Sequence, residues 1–241
     1  MKRLIRWTLN HVPRPLLQRL VRWCMPLVAL LLRGRGVACP VCGGRFRRFL
    51  PYGYVATRPN ALCPRCLALE RHRLLWLYLT RETDLCTTRP RLLHIAPEAC
   101  LMRRLKPCYA ACADRYVTAD LESPLADLHF DVQRIPLPDA SFDVLICNHL
   151  LEHVADDRLA LRELHRILRP GGWGILLSPV ERTRIFGQYD HRRIYGADYA
   201  DRLRAAGFEA ADIDYAARFT AGERRTYALP DDRIYVVRRI Q

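Results

Sequence analysis

Four cysteines in the first third of the chain have the spacing of metal ligands. Cys39 and Cys42 form one C-x-x-C motif, Cys63 and Cys66 form a second, and twenty residues separate the two motifs. Each motif presents two thiolates on one side of a tight turn, and two such turns supply the four soft ligands of a tetrahedral zinc ion. Because cysteine fills all four positions, we expect a structural zinc ion without an open catalytic position.

A redox pair is the alternative interpretation of a C-x-x-C motif. Redox motifs of this type occur singly in a thioredoxin-like surround, whereas this chain carries two motifs and no such surround. The residues between the motifs include aromatic side chains that suit the short strands of a zinc ribbon, namely Phe46, Phe49, Tyr52 and Tyr54. We therefore interpret residues 37–68 as a zinc ribbon.

A second set of candidate ligand-binding residues follows short apolar runs in the central part of the chain. Asp120, Asp131 and Asn148 each come directly after a run with the composition of a strand. Parallel sheets bind ligands in the crevice beyond the carboxyl ends of their strands. We therefore expect these three side chains to border one ligand site.

One segment has the pattern of a β-loop-α-β unit. Phe142–Cys147 is an apolar run with the length and β-branched content of a buried strand. Asp156 and Asp157 stand at helix N-cap positions, and apolar residues then recur at helical spacing as far as Pro170–Gly172. A new strand is predicted at Trp173–Ser178. Such a unit is typical of a parallel sheet.

Hydrophobic periodicity predicts further elements on both sides of this unit. Strands are expected at 91–96, 116–119, 128–130, 209–215 and 233–239, the last of them antiparallel at the sheet edge, and helices at 67–81, 98–105 and 198–206. Strands that alternate with helices predict the α/β class with a doubly wound sheet.

The segment from Asp131 to Gly172 also resembles the class I S-adenosylmethionine-dependent methyltransferases. The sequences PLPDASFDVLICNHLLEHV and LRELHRILRPGGWGILL carry the resemblance, with several short motifs in the family's order and spacing. The resemblance implies a Rossmann-like sheet that binds S-adenosylmethionine. It also implies transfer of the sulfonium methyl group to a nucleophile by in-line displacement.

The resemblance assigns roles to two strand ends. It implies that Asp120, followed by Leu121, accepts hydrogen bonds from both ribose hydroxyls of the cofactor. It implies that Asp131 accepts from the adenine amine while the backbone N–H of Val132 meets a ring nitrogen. The two carboxylates are therefore expected to hold opposite parts of one nucleoside.

The first predicted strand departs from the family pattern. The family has an acidic residue and a glycine-rich turn at this place, whereas this chain has His94, Ile95, Ala96, Pro97 and Glu98. We expect Ala96 to substitute for one glycine, and Glu98 to face the ammonium group of the cofactor from a shifted position. The missing glycines also support an alternative function, in which a degenerate methyltransferase fold acts as a zinc-containing scaffold.

Candidate catalytic residues lie after two of the strands. Asn148 and His149 are expected to line the cofactor cleft near the transferred methyl group. His149-x-x-Glu152-His153 also fits an H-x-x-E-H zinc-peptidase pattern, but it begins at a strand end, so we expect Glu152 and His153 to brace the loop.

The later loop, residues 184–196, borders the substrate side of the cleft in the family. Tyr189 and His191 in this loop are expected to position an acceptor or act as a general base. A solvated connection is the alternative for this loop.

Positive charge is concentrated at the start of the chain. Residues 1–69 contain Lys2, twelve arginines and no acidic residue, so they account for +13 of the net charge of +14. This bias predicts an anionic partner, either RNA or the headgroups of a membrane surface, although a general preference for arginine also produces it. Residues 1–36 fit a basic amphipathic helix on a membrane or a helix packed on the protein.

Four segments follow from these observations. They are a basic apolar arm at 1–36, the zinc ribbon at 37–68, a linking helix at 69–85 and a methyltransferase domain at 86–241. The metal-ligand spacing of four among the ten cysteines favours a reducing cytoplasm over secretion, with peripheral membrane association as a further expectation. The methyl acceptor is expected to be RNA or a small or lipid-linked metabolite, and no partner protein is predicted.

Overall fold

The computed structural model describes residues 24–53, 57–180 and 192–240. The chain divides into two compact units. The first comprises Met1–Arg73 and Phe219–Pro230, and the second comprises Leu74–Arg218 and Asp231–Gln241. A segment distant in sequence therefore returns to complete the first unit.

The first unit contains two small antiparallel strand pairs and helices. Its elements are helix α1 at residues 24–31, strands β1 (Arg33–Ala38), β2 (Arg45–Phe46), β3 (Leu50–Tyr52) and β4 (Arg58–Leu62), and a later helix, α7 (Ala221–Tyr227). β1 pairs with β2, and β3 pairs with β4. Val37, Phe46 and Phe49 are buried and supply the apolar core of this unit.

Helix α2 (Glu70–Arg81) crosses the division between the units. The second unit continues with α3 (Leu85–Thr88), β5 (Leu92–Ile95), α4 (Ala99–Cys108), β6 (Tyr116–Asp120), β7 (Leu128–His129), β8 (Phe142–Asn148), α5 (Asp157–Ile167), β9 (Leu168–Leu177), α6 (Tyr199–Ala205), β10 (Phe208–Ile213) and β11 (Ile234–Arg239).

One seven-stranded sheet organises the second unit, with the order β10-β11-β9-β8-β5-β6-β7. The strands from β5 to β9 pair in parallel, while β11 is antiparallel to both of its neighbours. This mostly parallel sheet with flanking helices confirms the predicted α/β class and the Rossmann-like arrangement.

The central strands form where the sequence predicts them, because apolar runs buried on both faces suit a parallel sheet. All four residues of β5 are buried, and so are most residues of β8. Helix α5 begins after Asp156, whose carboxylate accepts from the backbone N–H of Leu159 at 3.0 Å. That contact confirms the predicted N-cap.

The predicted edge position of the last strand is wrong. β11 lies between β9 and β10, so β10 is the edge strand. Ile234, Tyr235 and Val237 are buried along β11, whereas Glu209 on β10 is exposed. The apolar sequence of β11 therefore suits an interior strand.

The predicted start of the helix at Leu67 is also wrong. Leu67 has a left-handed φ of 62°, and its N–H donates to the carbonyl of Cys63 at 3.0 Å. Helix α2 begins only at Glu70 because this turn belongs to the second C-x-x-C motif. His72, between two arginines in this helix, is buried and accepts from the N–H of Leu69 at 3.1 Å.

Cys86 and Cys108 form a disulfide between α3 and α4. Nothing in their sequence spacing predicted this pairing, because the two residues meet only after the helices pack.

Across the described ranges, every helix is too short or too polar to cross a bilayer.

Candidate cofactor cleft and four-cysteine site

The four predicted zinc ligands converge in the first unit. The sulfur atoms of Cys39, Cys42, Cys63 and Cys66 all lie within 4.8 Å of one another. The Cys39–Cys66 and Cys42–Cys63 sulfur distances are 3.6 Å and 3.8 Å. A tetrahedral ion with metal–sulfur distances of about 2.3 Å requires edges of about 3.8 Å, so the cluster fits zinc.

Backbone hydrogen bonds hold both turns. In the first turn, the N–H of Cys39 donates to Gly44 and the N–H of Gly43 donates back to Cys39, each at 2.8 Å. In the second, the N–H of Cys63 donates to the carbonyl of Ala68 at 2.9 Å. The two motifs therefore have similar turn geometry, as their shared spacing predicts.

Arg73 is a buried cation in this unit that the sequence did not reveal. Its guanidinium lies 4.3 Å from the ring centre of Phe49 and donates to the carbonyls of Ala61 and Ala68 at 2.8 and 3.1 Å. It also donates to Tyr227 and Ala228, each at 2.7 Å. One side chain therefore connects the cysteine turns with the returning segment.

Burial and nearby acidic groups act on the pKa of Arg73 in opposite directions. Burial lowers the pKa of Arg73, while negative charge on Cys39, Glu70, Cys63 and Cys66 opposes that shift. A zinc ion with four thiolates has a net charge of −2, and a buried guanidinium partly balances it.

In the second unit, polar residues collect at the carboxyl ends of the parallel strands. β5 lies between β6 and β8, which is the point where the strand order reverses. Ala96 follows β5, Asp120 ends β6 and Asn148 ends β8. Ligands bind at such a switch point, so the structure places these predicted residues at the expected edge.

The turn after β5 contains a network that sequence reasoning missed. His94 is fully buried, with Nε2 at 2.9 Å from Glu98 Oε2 and Nδ1 at 3.0 Å from the hydroxyl of Tyr116. Because a carboxylate only accepts, Nε2 carries a proton in this network, and the hydroxyl of Tyr116 is the partner of Nδ1. Burial raises the pKa of Tyr116, so its hydroxyl keeps the proton that it donates.

Asn148 completes this network. Its Nδ2 donates to Glu98 Oε1 at 3.2 Å, so the carboxylate of Glu98 lies between β5 and β8. Asn148 Oδ1 is buried and has no hydrogen-bond partner among the described residues. A buried acceptor without a donor next to a carboxylate fits the ammonium group of an amino acid ligand.

The backbone of the turn is constrained at Ala96. This residue has a left-handed φ of 50°, a conformation that favours glycine. Its N–H donates to the carbonyl of Ala119 at 2.8 Å and fixes the turn against β6. Ala96, Pro97 and Glu98 are half-buried, so part of each residue is accessible to a ligand.

The two candidate nucleoside carboxylates follow the neighbouring parallel strands β6 and β7. Asp120 Oδ1 accepts from the N–H groups of Glu122 and Ser123 at 3.0 and 2.9 Å, and Leu121 is 62% exposed. The N–H of Phe130 donates to the carbonyl of Asp120 at 3.3 Å, which joins the two strand ends.

Asp131 is exposed, and its neighbour Val132 is buried. The carboxylate of Asp131 accepts from both the backbone and the side-chain amide of Gln133, each at 2.9 Å. Gln133 also accepts from the N–H of Asp156 at 2.7 Å. Gln133 is therefore a neighbour of the predicted adenine position that the sequence did not single out.

A carboxylate with two imidazoles lies beyond β8. Glu152 is buried, and Oε1 lies 3.5 Å from His149 Nδ1 and 3.9 Å from His153 Nε2. Ser178 donates to Glu152 Oε2 at 2.9 Å. His149 has a left-handed φ of 52°, and its N–H donates to the carbonyl of Leu177 at 2.7 Å.

The charge state of Glu152 follows from these neighbours. Burial raises the pKa of its carboxyl group, but the hydrogen bond and charge of His149, together with Ser178, hold the pKa below its ordinary value. Glu152 is therefore an anion near neutral pH.

Tyr189 and His191 lie outside the described residues, so their assignment stays a prediction. The chain resumes at Arg192, whose N–H donates to the carbonyl of Glu152 at 2.8 Å. Arg193 donates to the carbonyls of Leu151 and Val154, each at 2.7 Å. The residues directly after His191 therefore contact the loop that carries Glu152.

Comparison with known proteins gives a match over the segment that contains β6, β7, β8 and most of β9. Residues 99–176 match the family described as methyltransferase domain. A protein of Mycolicibacterium smegmatis named as a probable S-adenosylmethionine-dependent methyltransferase is 33% identical over 96 residues, which cover 37% of each chain. The 27-O-demethylrifamycin SV methyltransferase of Amycolatopsis mediterranei is 31% identical over 119 residues, which cover 44% of each chain.

The chain thus spans less than half the length of these curated relatives. Among solved structures, the CMeT domain of the citrinin polyketide synthase aligns with a TM-score of 0.50 and 17% identity, covering 75% of this chain and 55% of that chain. This likeness shows the fold. The sequence match is therefore to a methyltransferase domain over residues 99–176, and the structural match is to the fold alone.

Proposed function

We propose that the chain is an S-adenosylmethionine-dependent methyltransferase. The observation that carries the proposal is the convergence of Ala96, Glu98, Asp120 and Asn148 at the strand switch point of a sheet in which residues 99–176 match a methyltransferase domain. Bound S-adenosylmethionine supplies an activated methyl group. The donor needs no further activation by the protein, so positioning the reactants accounts for much of the catalysis.

The cleft offers a place for each part of the cofactor. Asp120 and Leu121 would hold the ribose side, Asp131 and Val132 the adenine, and Asn148 with the turn Ala96, Pro97 and Glu98 the amino acid end. Glu98 replaces the acidic residue that the family has four positions earlier in the chain, because His94 and Asn148 hold its carboxylate at the switch point.

His149 is the proposed proton acceptor. Its Nδ1 faces the anionic Glu152, which leaves Nε2 to take a proton from the methyl acceptor. The left-handed backbone of His149 fixes its position at the strand end. Tyr189 and His191 are proposed to border the same place, since the residues directly after them bond to the Glu152 loop.

We propose a structural zinc ion at Cys39, Cys42, Cys63 and Cys66. The sulfur separations and the buried guanidinium of Arg73 support it. With four protein ligands, the ion would stabilise the first unit and take no direct part in methyl transfer.

The alternative is a scaffold with a degenerate cleft. Its specific support is the turn after β5, where alanine occupies a left-handed position and both oxygens of Glu98 already face protein groups. A methyl acceptor, either RNA or a small or lipid-linked metabolite, is expected only if the chain is an enzyme and not a scaffold.

Incubation with S-adenosylmethionine labelled in the methyl group and a fractionated cell extract tests the enzyme proposal. We expect label in one fraction with the wild-type protein and much slower labelling with His149→Ala. Asp201→Ala is the control, because the side chain of Asp201 is 76% exposed and pairs with surface Arg204. Label that is absent for wild type, in a protein that also fails to bind the cofactor, would establish the scaffold instead.

A further inference from the structure

An unusual stripe of leucines lies exposed in the first unit. Leu27, Leu30 and Leu31 on α1 are 60%, 62% and 66% exposed. Their spacing of three and four residues places them on one side of the helix. Residues 24–32 contain no charged side chain, so this side of α1 presents only apolar chemistry. Contiguous exposed apolar surface marks an interaction site.

A group of arginines adjoins this stripe. Arg33 and Arg35 lie on β1, Arg45 lies on β2, and Arg47 and Arg48 follow it, and all five are exposed. Neither described carboxylate of the first unit is available to them, because Glu70 pairs with Arg58 and Glu223 caps α7 through Thr220. We refer to these five residues as the arginine group.

The backbone connects the two features directly. Leu32 ends the helical turn, with its N–H donating to Val28 at 3.0 Å, and its carbonyl accepts from the N–H of Arg47 at 2.7 Å. The arginine group therefore begins where the leucine stripe ends, within one compact unit.

We propose that the leucine stripe and the arginine group together bind the surface of an anionic lipid bilayer. Leucine side chains enter the boundary between headgroups and acyl chains, and guanidinium groups bind the lipid phosphates in forked hydrogen bonds. Each arginine near an anionic surface adds to the attraction. The described part of α1 has eight residues, which is far below the roughly 20 needed to span a bilayer.

The combination distinguishes a bilayer from other anionic partners. RNA offers phosphates to the arginine group but leaves the leucines in water, so it does not account for the stripe. The sequence before the stripe adds Lys2 and five arginines without any acidic residue, which extends the same charge preference. The proposal does not depend on methyl transfer.

Co-sedimentation of the full-length, zinc-loaded protein with vesicles tests the proposal. We expect binding to vesicles of phosphatidylglycerol and phosphatidylethanolamine, little binding to phosphatidylcholine, and weaker binding at high salt. The double change L27S/L30S is expected to weaken binding about tenfold or more, because it removes two inserted side chains. R33Q/R35Q/R47Q is expected to weaken binding to the anionic vesicles alone.

L125S/I240S is the matched control, since Leu125 and Ile240 are 51% and 61% exposed in the second unit. It should bind vesicles like wild type. Zinc content and circular dichroism verify that each variant is folded. The proposal is overturned if L27S/L30S binds like the control, or if neither vesicle type binds. It is also overturned if short duplex RNA competes fully with the vesicles, or if the leucines instead bury a dimer in ultracentrifugation.

Discussion

Glu98 shows how one residue compensates for a departure from a familiar pattern. The sequence places histidine where the methyltransferases have a carboxylate, and the structure shows that this histidine holds Glu98 at the same strand end. Asn148 provides the second contact. We propose that these three side chains together retain the acidic function, although the glycines of the turn are absent.

Glu98→Gln is predicted to lower the affinity for S-adenosylmethionine about tenfold or more, since a hydrogen bond to a charged group contributes about 1.5–3 kcal/mol. Calorimetric titration measures the change. Glu209→Gln makes the same change at an exposed position on β10 and should leave the affinity unaltered. Equal affinities for both variants would show that Glu98 does not face the ligand.

Glu152 gives a prediction about pH. Its folded pKa lies below the ordinary value of 4.5, so its ionised form stabilises the fold above that pH. This contribution is lost as the pH falls through the lowered value. Glu152→Gln should therefore show a smaller loss of unfolding free energy between pH 5 and pH 3 than wild type, measured by urea denaturation. A loss as large as that of wild type would contradict the pairing with His149.

The positions of polar residues at strand ends could be predicted from the sequence, whereas the hydrogen-bond partners of buried side chains could not. Asp120 and Asn148 were located because apolar runs end at them. The burial of Arg73 and the contact of His94 with Tyr116 depend on chain segments that meet only in three dimensions. The left-handed backbone of His149 likewise leaves no local sequence signal for a non-glycine residue.

At the scale of elements, we propose that the two C-x-x-C turns depend on a bound zinc ion. The intervening strands are short, from two to five residues in β2, β3 and β4. Such short strands bury little apolar surface, so we expect a metal ion to contribute to the stability of this unit.

Cys63→Ser is predicted to abolish zinc binding and to unfold the first unit, because apparent zinc affinities of such sites are about 10–16 kcal/mol. Elemental analysis should give one zinc per wild-type chain and none for the variant. Cys24→Ser, which changes an exposed cysteine outside the cluster, should retain the metal. Zinc retained by Cys63→Ser would exclude a four-cysteine site.

The disulfide between α3 and α4 closes a loop with a sequence separation of 22 residues. Reduction by a phosphine should lower the free energy of unfolding by about 3 kcal/mol, because the reduced chain has more conformational freedom when unfolded. The double variant C86S/C108S should be equally unstable with and without reductant. A wild-type protein that is insensitive to the reductant would indicate that these thiols are not paired.

Elements with strong periodicity were predicted well, and elements decided by their neighbours were not. Helix α5 and strands β5 and β8 occur at the predicted places because burial pattern and capping are local. β10 lies at the sheet edge and β11 lies inside the sheet. The local sequence of each strand carries little information about which of the two has a neighbour on both sides.

For the whole molecule, the unequal distribution of charge coincides with the division into two units. Residues 1–69 hold nearly all of the net positive charge, and the described part of this segment from residue 24 onward belongs to the first unit. The return of Phe219–Pro230 to this unit could not be read from composition, because that segment resembles an ordinary surface helix. Arg73 links it to the cysteine turns.

The central claim is that one cofactor binds at the strand ends of the second unit. Calorimetric titration of the full-length, zinc-loaded protein with S-adenosylhomocysteine tests it most directly. We predict one site per chain, with affinity at least about tenfold weaker in Asp120→Asn, because the ribose hydroxyls lose a charged acceptor. Absence of heat from the folded wild-type protein, or binding that Asp120→Asn leaves unchanged, would contradict it.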